Sequence, residues 1–378
     1  MPFRRSLARL RIAPAPAICT DMTLLLRSWA WVLPLLGLLA LGGMAGGLAV
    51  PLLKGLVLVG VVLAAVHHAE TVALRVGEPL GTLVLAVAVT VIEAGLIVSL
   101  MLANREAAVT LARDTVVAAA MIILNLLLGL CLIAGARHQK EARFTRTGAT
   151  AALSTLATLL VLTLILPNYT TSVAGPIYSP AQLAFVAVFS LLLYLIFVFV
   201  QTVRNRDYFL PQGAYKQAPD AHVEPPTRML ALASFGALTV SLVTVVLLAK
   251  SLSGPLEVAV SAMGMPRAVV GIAIAGIVLL PESVAAVRAA RANRMQTSLN
   301  LALGSALATI GLTIPVVTVV SFAMGLPLAL GLEPKGMTLL ALSLFVSSLS
   351  LARGRTTYLH GGVHLIVFAA YLMTTILP

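Results

Sequence analysis

The chain has 378 residues, of which 60% are hydrophobic and 10% charged, and a mean hydropathy of +1.04. Water-soluble domains carry about 25% charged residues, so this composition excludes a soluble globular fold and indicates an all-α polytopic membrane protein. The net charge of +12 comes without an aromatic-plus-basic stripe, which argues against nucleic acid and for basic loops facing an anionic lipid leaflet.

About 20 apolar residues cross a bilayer as a helix. Residues 1–28 read as a basic cytosolic tail carrying Arg4, Arg5, Arg9 and Arg11. About eleven spans are then predicted, at 29–48, 51–69, 80–102, 115–135, 148–167, 181–203, 229–250, 268–289, 299–323, 336–352 and 357–377. Short alternating segments of the β-barrel kind are absent from the sequence. Residues 204–228, "RNRDYFLPQGAYKQAPDAHVEPPTR", are the one long polar connection and read as a cytosolic linker. The linker separates two sets of five spans, at 49–203 and 229–378, and leaves 29–48 as an extra N-terminal helix.

Lys and Arg set the orientation. With the N-terminus in the cytosol, all 25 basic residues except Lys54, Arg105, Arg113, Lys250, Arg267 and Lys335 fall on the cytosolic side. The bias predicts an N-terminus inside and a C-terminus outside.

Of the 13 acidic residues, only Glu93 and Glu282 fall well inside predicted spans. A charge near the bilayer centre costs about 3 kcal/mol on insertion scales, so intramembrane carboxylates are read first as ion or proton sites. The plainer alternatives are inter-helix hydrogen bonding or a Glu282 that snorkels to the interface. Aligning the halves on these acids sets "LAVAVTVIEAGLIVSLMLANR" (Leu85–Arg105) over "IAGIVLLPESVAAVRAARANR" (Ile274–Arg294). Each acid follows an apolar run, and both stretches end in Ala-Asn-Arg at the same offset. Five spans reverse the direction of the second copy, so the halves form an inverted repeat with Glu93 and Glu282 facing each other at its centre. Pro281 disturbs the helix beside Glu282 and frees backbone carbonyls to act as ligands. Pro315 reads as a second disturbance or a plain kink.

The stretches Gly77–Leu102, Leu111–Asn125, Gln201–Leu210 and "LLPESVAAVRAARANRMQTSLNLALGSALATIGLTIP" (Leu279–Pro315) resemble the ChaA-type bacterial calcium/proton antiporters of the calcium/cation antiporter superfamily. The resemblance covers essentially everything after Met22. It implies an eleven-helix exchanger of the bacterial inner membrane with two α-repeats, in which Glu93 and Glu282 match the essential acids. Asn125 matches the asparagine of the first repeat, and Gly304 and Ser305 match the Gly-Ser of the second. The vacuolar-type exchangers carry an asparagine three residues before each acid, where this chain has Thr90 and Leu279. They carry a glutamine where this chain has Ala308. Fewer side-chain oxygens surround the acids here, which leaves room for Na⁺ or K⁺ beside Ca²⁺.

Calcium takes six to eight oxygens. Glu93 and Glu282 supply up to four, and Asn125, Ser305, Thr309, Thr90, freed carbonyls and water are candidates for the rest. Burial disfavours an uncompensated charge, so the pair holds either a cation or protons, and that competition couples the two flows. Glu78, Asp114 and Asn300 are candidate pathway residues at the mouths. His360 and His364 have ligand spacing but read as a packed or interfacial pair, and His67 and His68 as interfacial. No cofactor is expected, and no GxxxxGK[ST] motif for ATP occurs. The expected partners are inorganic cations, protons and lipid. The main alternative substrate class is monovalent cations. A channel would need a more continuous polar pore, and a membrane enzyme a nucleophile or metal cluster at the interface.

Overall fold

The computed structural model describes residues 18–42, 49–77, 80–103, 105–137, 141–210, 225–266 and 268–377. The described chain is almost wholly helical, and every predicted span is occupied by helix. The elements are α1 (Ile18–Leu41), α2 (Ala49–Val76), α3 (Leu80–Ala103), α4 (Arg105–Met121), α5 (Leu128–Gly135), α6 (Arg146–Leu160) and α7 (Pro180–Phe199). They continue as α8 (Arg228–Ala262), α9 (Ala268–Val278), α10 (Leu280–Arg291), α11 (Met295–Met324), α12 (Pro334–Leu351) and α13 (Tyr358–Ile376). Among the described residues, 8 helices are long and apolar enough to cross a membrane, or 9 if the bent pair α9–α10 is one span. Two shorter apolar helices, Ser28–Leu41 and Val87–Leu102, occupy the remaining predicted positions.

Several boundaries differ from expectation. Helix α1 already begins at Ile18, inside the stretch read as a tail. Helix α8 runs through Pro255 to Ala262, where an outer loop was expected after residue 250. The stop signal is Gly264, which takes a left-handed φ of 67° while the Met265 N–H bonds back to the Val260 carbonyl. Pro255 removes one donor without ending the helix. Helix α11 likewise runs unbroken through Pro315. In contrast, α9 and α10 are bent by 55° at a break beside Pro281.

The loops form two sets, knitted at opposite ends of the bundle. At one end, β1 (Ala142–Arg143) pairs antiparallel with β2 (Arg355–Thr356). There Thr145 N–H donates to Gln296 Oε1 at 2.7 Å and Asn300 Nδ2 to the Phe209 carbonyl at 2.6 Å. At the other end, Ile177 bridges Ala329, Ala329 N–H bonds the Val109 carbonyl, and Gly331 N–H bonds the Pro176 carbonyl. The first set is the arginine-rich one that was read as cytosolic. The second set was read as external.

The membrane-spanning rod Ala108–Gly135 is the most enclosed element, and the main apolar core surrounds it. Its small Ala118–Ala120 run lets neighbours come close, and α3, α9, α10, α11 and α13 pack round it. A second, smaller core joins α1, α2, α3 and α8. The packing is reciprocal between the halves. Helix α3 lies on α11, and the α4–α5 rod lies on α9 and α10. Helix α11 packs on α7 at Gly311, where a Cβ would sit 2.6 Å from Tyr194 Cβ. Helix α5 packs on α13 at Gly361, where a Cβ would sit 2.8 Å from the Gly129 carbonyl oxygen. Large apolar side chains such as Leu39, Leu56, Val188, Val319 and Ile366 point outward, as a lipid-facing surface requires.

Candidate cation and proton site

Glu93 sits midway along α3, a helix with no proline, and is buried with 3% exposure. Thr90, one turn earlier on the same face, is buried as well. The Glu93 carboxylate is held from the other half of the chain. Thr309 Oγ1 on α11 donates to Glu93 Oε2 at 2.7 Å, across 216 residues of sequence. This short bond fixes the register of α3 against α11 and orients the acid. Ser305 and Thr313 lie one turn before and one turn after Thr309, so three hydroxyls line one face of α11.

Glu282 reaches the site differently. Pro281 lies in the first turn of α10 and cannot donate a backbone hydrogen bond, so the Ile277 carbonyl loses its helical donor. The break places Glu282 in the first turn of α10, where free N–H groups and the helix dipole favour an anion. Both carboxyl oxygens are buried and have no hydrogen-bond partner among the described residues. A bare buried carboxylate is costly, and a cation or a proton removes the cost. Helices α3 and α10 both pack on α11, which brings the two acid-bearing helices to one common neighbour. At the end of α10 the Ala-Asn-Arg of the second half has a structural role. Asn293 adopts a φ of 63°, and Arg294 N–H bonds back to the Ala289 carbonyl, an asparagine-based helix stop.

Asn125 is fully buried in a π-helical turn, Ile122–Leu127, between α4 and α5. Its Nδ2 donates to Ser343 Oγ on α12 at 2.8 Å, while its Oδ1 has no partner among the described residues and is free to act as a ligand. Spacing did not single out Ser343. Its signal is a face of serines on α12, Ser343, Ser347 and Ser350, all buried. Ser305 is half-buried on α11.

Among the pathway candidates, Asp114 lies at the end of the bundle where Arg113 bonds the Gly331 carbonyl, and it is paired with Arg113 at 2.9 Å. Asn300 is committed at both polar atoms, donating to Phe209 and accepting from Gln296 Nε2 at 2.9 Å, so it ties α11 to the loop after α7. Glu78 lies outside the described residues. His364 is buried with Nε2 3.1 Å from Ser350 Oγ, and His360 closes a cap with Thr357 at the start of α13. His68 Nε2 lies 3.0 Å from the Ala30 carbonyl, and its ring meets Trp31, which fastens α1 to α2.

The sodium/calcium exchanger protein family matches residues 46–203 and 233–377, which include both acids and their supporting helices. The chain belongs to this family. Its members are secondary transporters, so the chain is an antiporter or exchanger of cations and not an enzyme. The sodium-potassium/proton antiporter ChaA of Escherichia coli (strain K12) is 34% identical over 323 residues, 84% of this chain and 87% of that one. A protein of Sinorhizobium fredii (strain NBRC 101917 / NGR234), y4hA, whose name gives it as an ionic transporter, is 46% identical over 357 residues. That match covers 93% of this chain and 96% of the relative. Among solved structures, the H⁺/Ca²⁺ exchanger CAX superposes with a TM-score of 0.70 at 15% identity, covering 94% of this chain and 89% of that one. The fold of this exchanger family and its place in the calcium/cation antiporter superfamily are thus as the motifs implied.

Proposed function

We propose that this exchanger is a secondary active antiporter that exports Ca²⁺ against protons, with Glu93 and Glu282 as the shared site. The observation that carries the reading is the pairing of two unlike buried acids across the halves. Glu93 is held by Thr309, and Glu282 is bare at a helix N-terminus. One divalent cation or two protons neutralise two carboxylates, so the site exchanges one for the other without leaving a buried charge. Asn125 Oδ1, Ser305, Thr309, Thr90 and the carbonyls freed at the α9–α10 break complete the oxygen set that Ca²⁺ requires. Thr309 keeps Glu93 aimed during both loadings. Residues 49–203 and 229–378 act as inverted repeats that rock about this centre and open it to each face in turn. The arginine-rich end faces the cytosol, and the C-terminus lies outside.

The second reading is a primarily monovalent Na⁺ or K⁺/proton antiporter. The name of the 34%-identical relative favours it, as do the buried apolar Leu279 and Ala308. Everted vesicles with a pH-sensitive dye separate the two. Adding Ca²⁺, Na⁺ and K⁺ in turn should give the largest dequenching with Ca²⁺. A response to Na⁺ or K⁺ alone transfers the substrate assignment to the monovalent ions, and no response to any of them removes the proton-coupled reading.

A further inference from the structure

A cavity of about 330 Å³ lies between the last turns of α2 and the first turns of α8, and neither acid lines it. Its walls are Val72, Val76, Leu232 and Phe235, with the stems of Arg75 and Arg228. The volume is in the range of small-ligand pockets, about 300–1,000 Å³. Two features identify what fits. The apolar wall continues onto the outer face of the bundle, where Leu232 is 69% and Phe235 59% exposed, so the cleft opens toward lipid and not toward an aqueous funnel. Both arginines are exposed, and among the described residues no carboxylate lines the cleft with them. Among the described residues, Arg75 makes one long bond, 3.4 Å, to the Pro226 carbonyl. Arginine stems lie along apolar surface while their guanidinium forks reach the interface, where they match phosphate oxygens.

Chain connectivity fixes the depth. Helix α3 ends next to α4, whose Val109 and Arg113 are bonded to the external loop at Ala329 and Gly331. Its start, and with it the end of α2, therefore lies at the arginine-rich end. An acyl-sized slot with a doubly cationic rim at that level has the chemistry of a bound amphiphile. We propose that this cleft binds one anionic phospholipid, its phosphate between Arg75 and Arg228 and one acyl chain along Val72, Val76, Leu232 and Phe235.

The test is native mass spectrometry of the purified full chain in detergent, titrated with phosphatidylglycerol or with phosphatidylcholine of the same chains. One phosphatidylglycerol should be retained roughly tenfold more tightly than phosphatidylcholine, with the preference shrinking at high salt. The Arg75→Gln, Arg228→Gln double variant should lose the preference, and Val72→Trp, which keeps both arginines but fills the slot, should lose the bound lipid. Melting temperature and proton-dye exchange of each variant report that the fold survives. Equal retention of the two lipids by the folded wild type would overturn the proposal. So would unchanged retention in a folded double variant, or complete displacement of the lipid by inorganic phosphate, which would assign the cleft to a free anion.

Discussion

The two acid-bearing segments align in sequence, yet α3 and α9–α10 support their glutamates by different physics. Helix α3 is continuous through Glu93, and the acid receives its hydrogen bond from Thr309 in the other half. The second segment breaks at Leu279, bends by 55° and presents Glu282 from the start of a new helix, with both oxygens unpaired among the described residues. One acid leans on a side chain across the interface. The other leans on the end of its own helix. An inverted repeat can therefore keep the position of a charge while changing what stabilises it, and the two glutamates should respond to different mutations.

The largest expected effect treats both alike. Glu93→Gln and Glu282→Gln should each lower proton-coupled exchange by more than about 100-fold while leaving expression and melting near wild type. The assay is dye-monitored exchange in proteoliposomes. Near-normal exchange in either variant would remove that acid from the coupling and leave the comparison with one working member.

The next two separate the supports. Thr309→Val removes the donor to Glu93 and should weaken apparent cation affinity about tenfold, since hydrogen bonds to charged groups are worth about 1.5–3 kcal/mol. Thr309→Ser should restore it. Pro281→Ala returns a donor N–H and lets α9 and α10 join, so Glu282 loses the helix terminus. Exchange should fall about fivefold, in keeping with helix-end effects of up to about 2 kcal/mol, with Thr309→Val adding to it independently. Strongly non-additive behaviour of the pair would mean that the two supports are one.

The smallest effect concerns packing behind each acid helix. A Cβ at Gly271 on α9 would meet the backbone of Asp114 at 3.2 Å, whereas one at Gly95 on α3 would meet a Val246 methyl at 3.0 Å. Backbone yields less than a side-chain end, so Gly271→Ala should cost about 1–2 kcal/mol and Gly95→Ala under about 1 kcal/mol. Thermal melting in detergent reads both. The reverse order would place the rigid contact on α3.

Much of this was legible in the chain. Hydropathy runs marked every helix, because in lipid each span must satisfy its own backbone. The arginine bias separated the two ends that the loops now knit together. Glu93 and Glu282 stood out because an intramembrane acid is costly. The Pro281 break followed from one missing donor. What stayed hidden depends on which helix faces which. The Thr309–Glu93 bond joins residues 216 apart, and no period in the sequence sets that register. Ser343 as the partner of Asn125, and the π-helical turn that carries Asn125, arise from α12 packing on the central rod. The overrun of α8 was not legible because the apolar run expected for this span ends at residue 250, whereas Gly264, the residue that adopts the left-handed cap, lies further on.

The most direct test of a single site shared by cation and protons is apparent Ca²⁺ affinity in proteoliposomes, measured from mildly acidic to alkaline pH with the gradient held fixed. Direct competition predicts that affinity weakens steadily as pH falls, while the rate at saturating Ca²⁺ changes far less. A Ca²⁺ affinity that stays constant across that range, with exchange still coupled to protons, would contradict the shared Glu93–Glu282 site.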